Sequence, residues 1–382
     1  MHHLLTDEDR RFRDEIAETL RAEIPQTLRD KMRRDIELER EDFVESQRIL
    51  NRLGLAVPHW PAEWGGRDWT PIQRHLYLEQ MQVNAVPPPL PFNVDMVGPV
   101  LARFGTDAQK EKFLKPTANL DIWWCQGFSE PNAGSDLASL VTRAERRGDG
   151  WVLNGQKTWT SYAHHADWMF GLFRTDPQAP KKQMGISFLV FPMDTPGIEV
   201  REIETSDGRH EVNEVFFSDV EVGADALVGE ENRGWDVAKF LLGNERHNIA
   251  GLGWVKMRLN LLRELAERDG PTGRLWDDPE FRRRFAQLEV DTRAVDMLQM
   301  LALTGQAAGA FGAPDHAASV LKIRGSELQQ ATTELLLDAL GPVGGPELAD
   351  AAAGYMSFRK LSIYGGSNEI QREILAKAAL GL

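Results

Sequence analysis

Cysteine is nearly absent from this chain: Cys125 is the single one in 382 residues. That excludes an internal disulfide and any zinc or iron–sulfur site built from several cysteines, and it fits a reducing compartment. A basic excess is also missing. Lys and Arg number 44 against 58 Asp and Glu, for a net charge of −14, which argues against a nucleic-acid binder or a basic membrane-surface protein. No apolar run approaches the ~18 residues of a membrane span, and the opening MHHLLTDEDRRFRDEI is too acidic for a secretory or transit leader. No G-x-G-x-x-G follows a strand into a helix and no P-loop occurs, so neither a Rossmann nor a nucleotidase reading is supported. Internal repeats and low-complexity tracts are lacking too. What remains is the profile of a soluble cytoplasmic protein long enough for two or three domains.

Three textures follow one another along the chain. The first reads as helices, by apolar spacing and caps. Thr6 caps a helix in which Phe12, Ile16 and Leu20 recur every four residues, and a second runs through Phe43, Val44, Ile49, Leu50 and Leu53 to Gly54. VPPPLP (86–91) interrupts, because proline cannot continue a helix; VDMVGPVLARFG and TDAQKEKFLKP predict two more, ending near Pro116. From about 120 to 225, Gly148-Asp149-Gly150 and Asn154-Gly155 act as turn signals between short strand-like runs. DWMFGLFR, GISFLVFPM, GIEVREI and NEVFFSDVEV continue the pattern, which predicts a compact antiparallel barrel or sandwich. After Gly234, helical patterns return over 234–268, 279–307, 314–339, 347–362 and 367–380, as in a bundle. The expected class is α+β: a helical domain over 1–118, a central β-barrel domain over 119–228 and a helical bundle domain over 229–382.

Two segments carry candidate chemistry. In CQGFSEPNAGSDLASL (125–140), Ser129, Gly134 and Ser135 offer small side chains and backbone N–H groups suited to a polar ring edge or a phosphate. In NGQKTWTSYAHHADW (154–168), Trp159 offers a flat face ringed by the hydroxyls of Thr158, Thr160 and Ser161. Read from the residues alone, a β-strand Trp is usually core and Gly-Ser-Asp is usually a turn. His164 and His165 are expected at a strand end, pointing opposite ways, so no metal site is expected there.

FSEPNAGSD, NGQKTWTS, NEVFFSDV, GNERHNIAG and IYGGSNEIQR, spaced along nearly the whole chain, resemble the acyl-CoA dehydrogenase family. The likeness is closest to the bacterial branch that holds the pimeloyl-CoA dehydrogenase large subunit and enzymes of dicarboxylic, ring and sterol side chains. It implies an N-terminal helical domain, a central β-barrel and a C-terminal four-helix bundle. It also implies FAD as cofactor, α,β-dehydrogenation of an acyl-CoA thioester to the 2,3-enoyl-CoA, and an electron-transfer flavoprotein as acceptor. By motif, Gln126, Phe128 and Ser129 would line the flavin ring and bond its pyrimidine edge, with Gly134 and Ser135 beside them. Trp159 and Ser161 would cover the other side. Cys125 is expected to pack as a small hydrophobe.

The base is displaced. Dehydrogenation removes a weakly acidic α-proton, which a desolvated carboxylate can take, while donors including a backbone amide polarise the thioester oxygen. In many family members a glutamate directly follows the tyrosine of the last motif; here Tyr364 is followed by Gly365 and Gly366. A second family solution places the base on the first long C-terminal helix, where this chain has Glu245 in KFLLGNERHNIAGLG. On a continuous helix Glu245 would share a face with Leu241, Leu242, Asn248, Ile249 and Leu252. The competing reading pairs it with Arg246, which would also border the substrate pocket. Glu369 is a rival, although a first-turn acid is favoured by the helix dipole alone. A missing side chain at Gly365 would suit bulky, branched, dicarboxylic or sterol-derived acyl groups.

Two departures bear on assembly. Homotetrameric members clamp a neighbour's FAD with an Arg-x-Phe-Gly-like motif and a Gly-Gly turn. Here the first region reads ERDGPTGRLWDDPEF, with Arg274 nearby, and the second places Pro342 after Gly341. The resemblance therefore implies a homologous second subunit in a heterotetramer, against a homo-oligomer. Two further readings stand beside the dehydrogenase: a non-catalytic, partner-completing subunit, and an oxygen-using flavoenzyme of the same fold.

Overall fold

The computed structural model describes residues 5–245, 250–270, 273–305 and 314–380. The described helices are α1 (Asp7–Glu23), α2 (Gln26–Arg33), α3 (Arg40–Arg52), α4 (Pro71–Val83), α5 (Gly98–Phe104) and α6 (Asp107–Ala118). Then come α7 (Gly234–Glu245), α8 (Leu252–Ala266), α9 (Pro279–Leu303), α10 (Pro314–Leu340), α11 (Gly345–Ser357) and α12 (Asn368–Leu380). Between α6 and α7 lie β1 (Trp124–Gly127), β2 (Arg143–Arg147), β3 (Gly150–Ser161), β4 (Trp168–Arg174), β5 (Ile186–Pro192), β6 (Ile198–Ile203) and β7 (Val212–Val222). The α, β, α order expected from the sequence is the order observed. The chain forms two compact units: Phe43–Arg67 with Pro89–Glu245, and Met1–Asp42 with Asp68–Pro88 and Arg246–Leu382.

The first unit is built on one sheet, ordered β1-β4-β2-β3-β7-β6, with β5 paired to β4. Most pairs are antiparallel, but β1 runs parallel to β4, which sets Gln126 opposite Phe170. Trp151, Phe173, Phe191, Val215 and Phe217 fill its core; each such apolar side chain contributes roughly 1.5–3 kcal/mol on burial. Gly148, at φ +58°, closes the β2–β3 hairpin as expected. Asn154-Gly155 does not close one. It lies inside the single strand β3, where the register against β7 shifts between Leu153 and Gly155. Asn154 is held across the sheet by Asp219, and a Cβ on Gly155 (φ +141°) would stand 2.7 Å from the Thr142 side chain. The glycine makes a bulge rather than a turn.

Two pieces of this unit matter for the site. A π-helical turn, Phe92–Val97, precedes α5 where an ordinary helix was predicted. It packs on both β1 and α7, and α7 also packs on β5.

In the second unit α10 packs against α8, α9, α11 and α12 around Leu259, Leu262, Phe281, Phe285, Leu335 and Leu336. Thr6 caps α1 and forms a capping box with Asp9. The single helix expected over 234–268 is not one helix: α7 ends at Glu245 and α8 begins at Leu252, after Gly251 at φ +57°. The break has a cause in packing. Gln329 donates to the Ala250 carbonyl at 3.2 Å, and a Cβ on Gly251 would stand 2.4 Å from its Nε2. The face expected to join Glu245 to Leu252 is therefore not a continuous helical face.

Candidate active site

The loop after β1 is tied to β3 just before Trp159. The Thr158 N–H donates to the Ser129 carbonyl at 2.9 Å. The Lys157 Nζ donates to the carbonyls of Phe128 (3.2 Å) and Leu172 (2.7 Å) and to the Glu130 carboxylate (2.7 Å). Glu130 also accepts the N–H groups of Val141 (2.7 Å) and Thr142 (3.0 Å). Burial holds the Lys157 ammonium down to about 8. Burial pushes Glu130 up, but Lys157 and the N–H donors outweigh it and leave its carboxyl below the usual range. Sequence reading missed this pair, although Lys157 between polar neighbours inside a strand is its signal.

Trp159 follows directly, in the second β3 irregularity, between Lys157 and Thr160. Its backbone is left-handed, φ +59°, and its side chain is 61% exposed. A non-glycine residue in that conformation costs about 1–3 kcal/mol and is kept where the surroundings impose it. The bulge turns a strand tryptophan, expected in the core on the residues alone, into an uncovered aromatic face.

The other motif residues stand around it in different ways. Gln126 is half-buried, and its Nε2 donates to the Met96 sulfur at 3.6 Å. Phe128 is buried, its ring packed on Phe170 and Phe188, so it meets any ligand through its backbone. Among the described residues, the hydroxyls of half-buried Ser129 and Ser161 and of exposed Ser135 have no hydrogen-bond partner. Gly134 has open space where a Cβ would stand. An open indole with half-buried amide and hydroxyl groups nearby fits a flat ring with a polar edge. A flavin meets that description: Trp159 would cover its ring, while Gln126, Ser129 and Ser161 would hold its polar edge.

The two histidines do not sit as expected. β3 stops at Ser161, Tyr162 turns at φ +54°, and the rings of His164 and His165 lie 4.0 Å apart. His210 stacks on His164 at 3.9 Å, and Asn213 bonds both His164 and His210. Turn geometry replaces the strand alternation that would have separated them. Burial, then His165 and His210, lower the His164 pKa to about 4, so the stack is neutral at pH 7. Cys125 is fully buried and its thiol pKa is pushed up by burial, as a packing residue.

In the second unit, Gly365 and Gly366 both turn in the left-handed region, φ +63° and +84°. Side chains rarely adopt that conformation, so the turn as built suits glycine where relatives carry the base. Tyr364 is 53% exposed. Asn368 and Gln371 are buried and hold the turn through Ser326, Lys322 and Ser319. Glu369 is solvent-exposed and pairs with Arg372 at 3.6 Å, unlike a desolvated base. Glu245 ends α7; its side chain and Arg246 lie outside the described residues.

A buried ionic cluster in this unit escaped sequence reading. His75 and Glu79 share a face of α4 at i, i+4, and their ligand atoms lie within 4.8 Å of each other and of Asp296 on α9. The Lys256 ammonium bonds both Glu79 and Asp296, the latter at 3.0 Å. Lysine thus takes the position of a cation, and the group is an ion-pair network.

The comparisons agree with this geometry. The chain matches the acyl-CoA dehydrogenase N-terminal domain over residues 6–121, the middle domain over 125–220 and the C-terminal domain over 232–380. It belongs to the acyl-CoA dehydrogenase family and is an oxidoreductase of that class. It is 38% identical over 355 residues to acyl-CoA dehydrogenase IpdE1 of Mycobacterium tuberculosis, covering 90% of each chain. Against IpdE1 of Mycolicibacterium smegmatis it is 36% identical over 394 residues, covering 95% of this chain and 97% of the relative. Among solved structures, it superposes on the ChsE4–ChsE5 complex from Mycobacterium tuberculosis with a TM-score of 0.84 and 28% identity, over 99% of this chain and 98% of that one. The Tcur3481–Tcur3483 steroid acyl-CoA dehydrogenase gives 0.85 at 28% identity, over 99% and 98%. No described helix is long and apolar enough to cross a membrane.

Proposed function

We propose that this chain is a catalytic subunit that binds FAD and converts a bulky acyl-CoA thioester to its 2,3-enoyl-CoA. The observation that carries this reading is Trp159, held outward at φ +59° beside polar side chains without partners. When bound, the flavin supplies the hydride acceptor. The chain's own residues do the rest: Trp159 shields one ring face from water, Gln126, Ser129 and Ser161 orient the ring, and Glu245 takes the α-proton. The Gly365–Gly366 turn leaves space beside Tyr364 for a branched or cyclic acyl group. Electrons would leave to an electron-transfer flavoprotein. The test is anaerobic bleaching of the yellow protein by a panel of straight, dicarboxylic and steroid-derived acyl-CoA thioesters. Bleaching is expected to be fastest with a bulky member. Released FMN, or butyryl-CoA as clearly the best substrate, would sink the reading.

A heteromeric assembly is favoured by how α10 ends. The N–H groups of Gly341, Val343 and Gly344 are spent on Leu337 and Leu340 carbonyls, and Pro342 has none to give. Arg274, the remaining candidate for a clamp, bonds Asp269 at 2.9 Å. Solved relatives include the two-component ChsE4–ChsE5 complex. The chain expressed alone is expected to be flavin-poor, and a co-expressed homologous subunit to raise flavin content. A fully active homotetramer with one FAD per chain, measured by light scattering and absorbance, would end the idea.

A further inference from the structure

The π-turn Phe92–Val97 is fastened to the strand that carries Gln126. Asn93 accepts the Trp124 N–H at 3.0 Å, and the Met96 sulfur accepts from Gln126 at 3.6 Å. On another side the turn packs against α7, the helix that ends at Glu245. It therefore forms wall between the segment assigned to the flavin and the helix assigned to the base, where an acyl group must lie. Wide π-turns of this kind recur at functional sites.

The turn is apolar and buried except for two residues, Phe92 and Asp95. Asp95 is the one acid in it. Among the described residues its only partner is His59 Nε2, at 3.5 Å. Both side chains stay reachable, 28% exposed for Asp95 and 31% for His59. Yet burial pushes the Asp95 carboxyl up, against the opposing effect of His59. A carboxyl that is reachable but poorly solvated faces a recess, not open water.

The imidazole has a fixed role. His59 Nε2 lies 2.9 Å from the Val94 carbonyl, which also receives the Trp60 indole N–H at 2.7 Å. A carbonyl only accepts, so Nε2 carries the hydrogen, and the neutral ring keeps Nδ1 as an acceptor. Asp95 and His59 thus offer acceptors to a ligand, and what they select is a neutral donor.

We infer that Asp95, oriented by His59, is a specificity-determining residue that accepts a hydrogen bond from a hydroxyl on the acyl group, remote from the thioester. This rests on the dehydrogenase reading and narrows it. Of the acyl classes that Gly365 would admit, ring-hydroxylated ones are favoured, and ω-carboxylated ones are disfavoured because a second carboxylate would meet Asp95.

The test uses the FAD-loaded protein, co-expressed with a partner subunit if flavin retention requires it. Its probes are 3-cyclohexylpropanoyl-CoA, the set of its ring-hydroxylated isomers, hexanoyl-CoA and adipoyl-CoA. Anaerobic flavin reduction gives kcat/KM for each. At least one hydroxylated isomer is expected to exceed the unsubstituted thioester by about tenfold or more, as for a hydrogen bond to a charged group. That ratio should collapse toward one in Asp95→Asn and Asp95→Leu, while the adipoyl-to-hexanoyl ratio rises in Asp95→Leu. Bleaching without hydroxyl preference in the unmodified protein, or a preference untouched by both variants, overturns the inference alone. No bleaching by any thioester overturns the dehydrogenase reading, and the inference with it.

Discussion

Glu245→Gln is expected to keep the fold and the flavin and to slow flavin reduction by substrate about 10²–10⁴-fold, the usual worth of a positioned proton-transfer group. Three placements converge on this residue. The position that follows Tyr364 is a glycine at φ +63°, where a glutamate would be strained. Glu369 is exposed and paired with Arg372, so water keeps it a weak base. Glu245 instead ends a helix packed on the π-turn that also touches β1, the strand of Gln126. The amide in Glu245→Gln preserves shape and removes the proton acceptor, which separates chemistry from packing. Anaerobic stopped-flow absorbance at the flavin band measures the effect, with Glu369→Gln as a comparison expected to stay near the unmodified rate. Reduction of the Glu245→Gln protein at near wild-type rate would show that another group takes the proton.

Much of this could be read in the sequence where local chemistry decides. Thr6 caps α1 because a threonine oxygen and an acid three residues on satisfy the first N–H groups whatever the rest of the protein does. The alternating strands from Trp168 to Val222 were legible for the same reason, since one buried face imposes a period of two. What could not be read depends on partners far along the chain. Asn154-Gly155 has the composition of a hairpin turn, and only Thr142 and Asp219 make it a bulge. Gly251 breaks a periodic helix because Gln329, 78 residues later, occupies the space above it. His164 and His165 meet because Tyr162 turns the chain, and Lys256 meets Glu79 and Asp296 across three helices. In the candidate site, the residue types were visible, but the bulge that uncovers Trp159 and the π-turn that positions Asp95 are tertiary features.

Lys157→Met should be the most destabilising single change in the first unit, by about 3–5 kcal/mol, and should release the flavin. Lys157 is fully buried and Glu130 nearly so, at 0% and 5% exposure. Removing the ammonium leaves Glu130 with two backbone N–H donors and no cation, in a place where water cannot replace one. It also frees the Phe128 carbonyl, and with it the tie that holds the Phe128–Glu130 segment next to Trp159. Stability and cofactor retention should therefore fall together. Glu130→Gln in the same chain removes the stranded charge, so the double variant should recover a large part of the stability while still binding flavin weakly. The coupling in that cycle separates the charge penalty from the lost positioning. Urea midpoints for the four proteins, with flavin absorbance of the same samples, make the measurement. If Lys157→Met unfolds at the unmodified midpoint and keeps its flavin, the pair holds nothing together, and the geometry of the Trp159 bulge must be set elsewhere.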